Sequence, residues 1–152
     1  MAGLFYQTVG FHFAVTFLGL GLNGLDTRFQ SVGGLEVQME TETLKEGGEN
    51  RFEHNLPTRR KYATLTLKRG LVNPILFSSL TKWCKETFEQ GVVKPTDLNI
   101  LLLNPDHLPI MKWDVIHAWP KSWKFGELNA EKSEVLIESM ELQYNRFEFS
   151  GP

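Results

Sequence analysis

Val9-Gly10-Phe11-His12-Phe13-Ala14-Val15-Thr16-Phe17 places apolar side chains at every odd position and small or polar residues between them. That period of two predicts a strand with one face in a core. Gly19, Gly21, Asn23 and Gly24 follow closely and predict a turn or irregular connection. The start of the chain is therefore read as β structure.

Outward from this stretch the same period recurs. A second strand region begins near Phe29 and is interrupted by Gly33-Gly34. Beyond it Leu35, Val37 and Met39 alternate with Glu36, Gln38, Glu40 and Glu42, which predicts one buried face and one acidic, solvent-facing row. Residues 45–60 have no period; Gly47, Gly48, Asn50, Asn55 and Pro57 among many charges predict a long loop or a loose hairpin. A connection of that length in a small domain usually has a task. It also holds Phe52 and Leu56, which a fully solvated loop does not favour. Residues 61–69 alternate again, with Ala63, Leu65 and Leu67 on one face, and end at Gly70.

One helix is predicted, over about 74–90. Asn73 suits an N-cap and Pro74 the first helical position. Leu76, Leu80, Trp83, Cys84 and Phe88 form its apolar stripe, and Gly91 a C-terminal stop. Strands are then expected at 97–103 and 110–119, separated by the turn sequence Asn104-Pro105-Asp106. The second alternates Met111, Trp113, Val115, His117 and Trp119, with Pro120 closing it and a short segment around Trp123 leading to Gly126. A last long strand is read over 134–149. Its parity is mixed: Val135 and Ile137 on one side, Met140, Leu142 and Tyr144 on the other. A bulge or burial on both faces accounts for such a pattern.

These elements give a mainly β fold with one helix, in a single domain over residues 1–152. A small antiparallel β-barrel hides the strand edges. The chain's 152 residues suffice for one core, and 41% hydrophobic with 22% charged residues is an ordinary folded composition. A net charge of -2 argues against a dedicated nucleic-acid binder. The single cysteine, Cys84, fits a reducing compartment. The first residues carry no secretory pattern, and no apolar run reaches the roughly 20 residues of a membrane span.

Catalytic patterns are missing from the residue spacing. His12, His54, His107 and His117 lie in no metal-binding spacing, so no metal or cofactor is expected. Cys84 reads as a small buried hydrophobe beside Trp83. Gly33-Gly34 and Gly47-Gly48 open no phosphate-binding helix. Glu36, Glu40 and Glu42 share one strand, whereas paired catalytic carboxylates flank a substrate from different segments. Arg59-Arg60-Lys61 reads as a solvated or subunit-contact patch.

Two blocks carry a resemblance. Gly34-Leu35-Glu36-Val37, Glu46-Gly47-Gly48-Glu49-Asn50, Leu56-Pro57 with Arg59 and Lys61-Tyr62, and Leu67-Lys68-Arg69-Gly70-Leu71 form the first. Ala118-Trp119-Pro120 with Trp123, Glu127-Leu128-Asn129-Ala130, Glu134-Val135 and Glu138-Ser139-Met140-Glu141-Leu142 form the second. In this order they resemble the tail-tube family of contractile phages. Val9-Gly10-Phe11-His12-Phe13 is similar to the family's first strand.

The resemblance implies a barrel-like subunit with a flanking helix, similar in fold to the type VI secretion tube protein. It implies hexameric rings stacked into a hollow tube inside a sheath, and no enzymatic activity. The implied partners are further copies of the chain, the sheath protein, baseplate or tube-initiator and tail-terminator proteins, and lumenal cargo or a tape-measure protein. The monomer does not insert into membranes. Assembly in the bacterial cytoplasm is implied, followed by residence in a virion tail or a released contractile particle. The implied assembly residues are Glu46, Gly47, Gly48, Asn50, Phe52, Leu56, Pro57 and Arg59, and the acidic row Glu36, Glu40 and Glu42 faces solvent or the lumen. Three other readings stay open: a small-molecule-binding β-barrel, a split-barrel flavin enzyme, and a tube-initiating paralogue at the baseplate.

Overall fold

The alternation at the start of the chain becomes β1 (His12–Phe17), with Val15 and Phe17 buried. The computed structural model describes residues 12–20, 29–45, 53–71, 79–128, 131 and 136–151. Within them the order continues as β2 (Ser31–Gly33), β3 (Val37–Lys45), β4 (Glu53–Tyr62), β5 (Leu65–Leu71), α1 (Ser79–Gln90), β6 (Thr96–Leu103), β7 (Pro109–Phe125), β8 (Leu136–Gln143) and β9 (Arg146–Ser150). The fold is mainly β with one helix, as the periodicity predicts.

The main sheet runs β1-β6-β7-β8-β5-β2, and β9 also pairs with β7. The sheet is open. Among the described residues β1 and β2 are its two ends, so the expected closed barrel is corrected to a curled, unclosed sheet. Side chains bridge the gap instead of hydrogen bonds: the Phe17 ring lies 6.5 Å from Phe29 and 5.6 Å from Trp83 of the helix. Inside the curl Val15, Leu65, Leu67, Leu98, Ile100, Val115, Met140 and Leu142 make a dry core, and α1 covers it with Leu80, Trp83 and Cys84.

The helix begins, within the described residues, at Ser79; the expected cap at Asn73 and Pro74 lies outside them. Its end is as expected. Gly91 takes φ 70°, and the Val92 N–H reaches back to the Glu86 carbonyl. A buried polar network pins the helix to the sheet. Arg69 Nε of β5 donates to Glu138 Oε1 of β8 at 2.6 Å, with both side chains almost fully enclosed. Thr81 of α1 and the Trp123 indole of β7 each donate to Glu138 Oε2 at 3.0 Å. Arg69 Nη2 in turn donates to Thr81 at 2.8 Å. Four elements thus meet on one carboxylate.

β7 departs from the expected 110–119. It continues through Pro120 to Phe125, and its parity changes midway. His117 adopts φ 61° at an irregularity in the β6 pairing, where the Asp97 carboxylate accepts its N–H at 2.9 Å. After this bulge Ala118 and Pro120 face inward, while His117 is exposed. The simple alternation through His117 and Trp119 is corrected accordingly.

The expected last strand, 134–149, is two strands in one register on β7. Gln143 opposes Trp119 and Arg146 opposes Ile116, with an interruption at Tyr144-Asn145 between them. Its mixed parity has a second cause. Glu138 and Ser139 are both buried, so β8 is covered on both faces. The Asn104 turn is as expected, with the Asn104 side chain accepting the N–H groups of Asp106 and Leu108.

Candidate assembly surface

The most exposed β structure lies where a loop is expected. β3 and β4 pair with each other and with no other strand of the described residues. The loop over 45–60 is therefore corrected to a hairpin whose strands reach Lys45 and begin again at Glu53; residues 46–52, the connection, lie outside the described residues. Lys61 and Tyr62, expected to open the following strand, instead end β4. The turn-forming residues of the stretch mask the pattern, since Pro57 sits inside β4 opposite Thr41. Proline fits a strand whose outer edge is unpaired.

Glycine geometry explains where the hairpin leaves the body. Gly34 has φ 90°, and a Cβ there would collide with the Thr64 carbonyl oxygen. The two segments approach each other closely at that point, and the Ala63 N–H donates to the Glu36 carbonyl. The base is held by aromatic contacts. Tyr62 of β4 lies 5.8 Å from Tyr144 and 5.1 Å from Phe147.

Beyond that base the hairpin is not covered. Val37 is 44% exposed, Met39 55%, Leu44 52% and Leu56 46%. The prediction of a buried face for Val37 and Met39 is corrected: Leu35 is partly buried against the core, and past it Val37 and Met39 are exposed on a strand that pairs, among the described residues, with β4 alone. Glu36, Glu40 and Glu42 are exposed, as the acidic row requires. Pairing sorts the side chains into two faces. Gln38 opposes Lys61 and Glu42 opposes Leu56 on one; Val37 opposes Tyr62, Met39 opposes Arg60 and Thr41 opposes Pro57 on the other. Between Met39 and Thr41 the register shifts so that Thr58 and Arg59 stand against Glu40. Thr58 donates to the Glu40 carbonyl at 3.0 Å, and Arg59 lies 3.7 Å from the Glu40 carboxylate.

Of the expected assembly residues, Leu56, Pro57 and Arg59 come together on β4 and are exposed; Glu46, Gly47, Gly48, Asn50 and Phe52 lie outside the described residues. Sequence reasoning missed Met39 and Leu44 as neighbours of this surface, whereas Lys61 was read within the basic patch Arg59-Arg60-Lys61. The signal for the first two was the alternation itself, which reads alike whether its apolar face meets this chain or another.

Among the described residues no group of three His, Cys, Asp or Glu side chains is placed to hold a metal. Cys84 is buried, and that burial, with the nearby Glu138 carboxylate, pushes its thiol up to about 12. A thiol held in that state is a poor nucleophile. The clefts lined by described residues are surface grooves, such as the one between Gly19, Leu20, Trp83 and Lys94.

The same architecture occurs in known proteins. A family model described as T4-like virus tail tube protein gp19 matches residues 9–148. A chain in the cryo-EM structure of the anti-feeding prophage baseplate, six-fold symmetrised, is 32% identical with TM-score 0.82, covering 96% of this chain and 97% of that one. A chain of an extracellular contractile injection system, the PVC sheath-tube complex in its extended state, is 21% identical with TM-score 0.77, covering 99% and 96%. Hcp1 from Flavobacterium johnsoniae shares the fold at 11% identity and TM-score 0.51, over 92% and 95%. A comparison with curated proteins gives no match. With nearly its whole length matched by the family model, the chain belongs to the T4-like virus tail tube protein gp19 family.

Proposed function

We propose that this chain is a structural subunit whose copies form hexameric rings, and that the rings stack into the hollow inner tube of a contractile tail or phage-tail-like injection system. Its family membership makes it a tail tube protein. The observation that carries the rest is the projecting hairpin, with Val37 and Met39 exposed on one face of the ribbon and Leu44 and Leu56 on the other. Apolar side chains exposed on both faces of a projecting ribbon are expected to be buried against further copies. The six-fold symmetry of the anti-feeding prophage baseplate supports the ring number.

Function in this reading needs no catalysis. Sheath shortening supplies the energy, and the tube transmits force through a target envelope and conducts DNA or effector cargo. Many repeated contacts, rather than one tight interface, give the tube its strength. Sheath, baseplate and terminator proteins are its partners, after assembly in the bacterial cytoplasm. The PVC sheath-tube complex and the anti-feeding prophage baseplate support the first two.

A second reading has its own support. The 32% identical neighbour belongs to a baseplate structure, which favours a tube-initiating paralogue. Negative-stain electron microscopy and solution mass of the purified protein across concentration test both. Tubes are expected for the main subunit and isolated six-fold rings for the initiator; a monomer at every concentration overturns both. Phe52→Asp, in the hairpin connection, is expected to leave the monomer folded and abolish long tubes, and normal tubes from that variant remove the connection from the account.

A further inference from the structure

On one face of the projecting hairpin charge is divided between the two strands: β3 carries Glu40 and Glu42 there, and β4 carries Arg59 and Lys61. The register places all four on that face: Gln38 opposes Lys61, Glu42 opposes Leu56, and Arg59 reaches Glu40. Arg60 lies with Met39 on the other face. Lys45 of β3 and Glu53 of β4, which oppose each other, also belong by register to the other face. Glu40, Glu42, Arg59 and Lys61 are all exposed. A two-stranded ribbon has two outer edges, so on the face they share one edge is acidic and the other basic.

We infer that this division makes the hairpin accept a second copy of the chain head to tail, β3 of one beside β4 of the next, and reject a two-fold contact. The inference rests on the self-assembly reading. Its physical basis is pairing on one face of adjoining strands, where opposite charges attract and like charges repel. In a two-fold contact β3 meets β3 and Glu40 and Glu42 face their own kind, or β4 meets β4 with Arg59 and Lys61 opposed. In a head-to-tail contact without axial shift, Glu40 of one copy stands level with Arg59 of the next, because they are already level within one hairpin. Heterologous contacts give a ring where the rotation closes and an open filament where it does not, whereas a two-fold contact ends at a dimer. The division of charge therefore excludes the dimer and leaves the ring accessible.

Charge reversal tests it. In Glu40→Lys/Glu42→Lys both edges are basic; in Arg59→Glu/Lys61→Glu both are acidic. Each variant alone, at low salt, is expected to need roughly tenfold more protein than the native chain to assemble, from the loss of two exposed attractions and the gain of repulsions at each contact. An equimolar mixture is expected to assemble again, through alternating copies, and so is the chain bearing all four changes. Sedimentation and electron microscopy read assembly, and circular dichroism confirms that each variant is folded. Single variants that assemble as the native chain does, or a mixture and a four-fold variant that both fail, overturn the inference while leaving the tube reading intact. Failure of the native chain to assemble sinks the tube reading itself.

Discussion

Glu138 concentrates the energetics of single residues. Its carboxylate is buried and takes bonds from Arg69, Thr81 and Trp123. Removing either charge leaves the other enclosed without its opposite charge, so Arg69→Met or Glu138→Leu is expected to cost about 3–5 kcal/mol in denaturant unfolding. The double variant is expected to cost clearly less than the sum. Additive costs would show that the two charges act separately. Tyr144 is the opposite case. Its hydroxyl is buried without a hydrogen-bond partner among the described residues, and burial, with Tyr62 beside it, pushes it to about 12 from an ordinary 10.0. Cys84 behaves alike, from 9.0 to about 12. The folded chain holds both protons to higher pH than the unfolded chain does. Their contribution to stability is thus complete below pH 9.0 and declines as pH rises from there towards about 12. Tyr144→Phe is expected to raise stability by about 1 kcal/mol at neutral pH and to flatten this alkaline decline. Destabilisation in thermal unfolding would mean that the hydroxyl has a partner.

At the scale of elements, Gly34 and His117 set where strands bend. Gly34→Ala adds a Cβ that meets the Thr64 carbonyl at a left-handed φ, and is expected to cost about 2–3 kcal/mol or more. A melting temperature unchanged by it would remove the close approach from the account of the hairpin. Asp97→Ala leaves the His117 amide without its acceptor and is expected to cost about 1 kcal/mol. What sequence alone reveals follows the same division. β1, β6, the Asn104 turn and the helix end were legible because each obeys a local period or a local cap. The His117 bulge was not, because alternation assumes an unbroken pleat, and the acceptor that stabilises the break comes from β6. The hairpin was hidden because Pro57 and Asn55 read as loop residues, and because its strands gain little from this chain's own core. Of the candidate site, Leu56, Pro57 and Arg59 were proposed through a family likeness, since an interface leaves no period of its own. Glu138 was quoted within a matching block, yet its burial depends on Arg69, which lies 69 residues away.

The whole molecule combines a dry core with a ribbon that stands outside it. Leu56→Asp alters the ribbon and leaves the core untouched. The monomer's unfolding is expected to shift by less than about 0.5 kcal/mol, as for an exposed site. Tube formation is expected to be lost, and tubes of native length from this variant would place the contact elsewhere on the surface.

The close approach at Gly34 also has a consequence in time. Beyond it β3 and β4 have no third strand among the described residues, and a two-stranded ribbon is marginally stable in water. A docking copy is therefore expected to steady its hairpin as it binds, and the first few copies to do so with few neighbours to reward them. Growth on an existing end is then expected to be fast and a new start slow, with a lag that preformed fragments abolish. In the tube reading, a template rather than supply would decide where a tube begins.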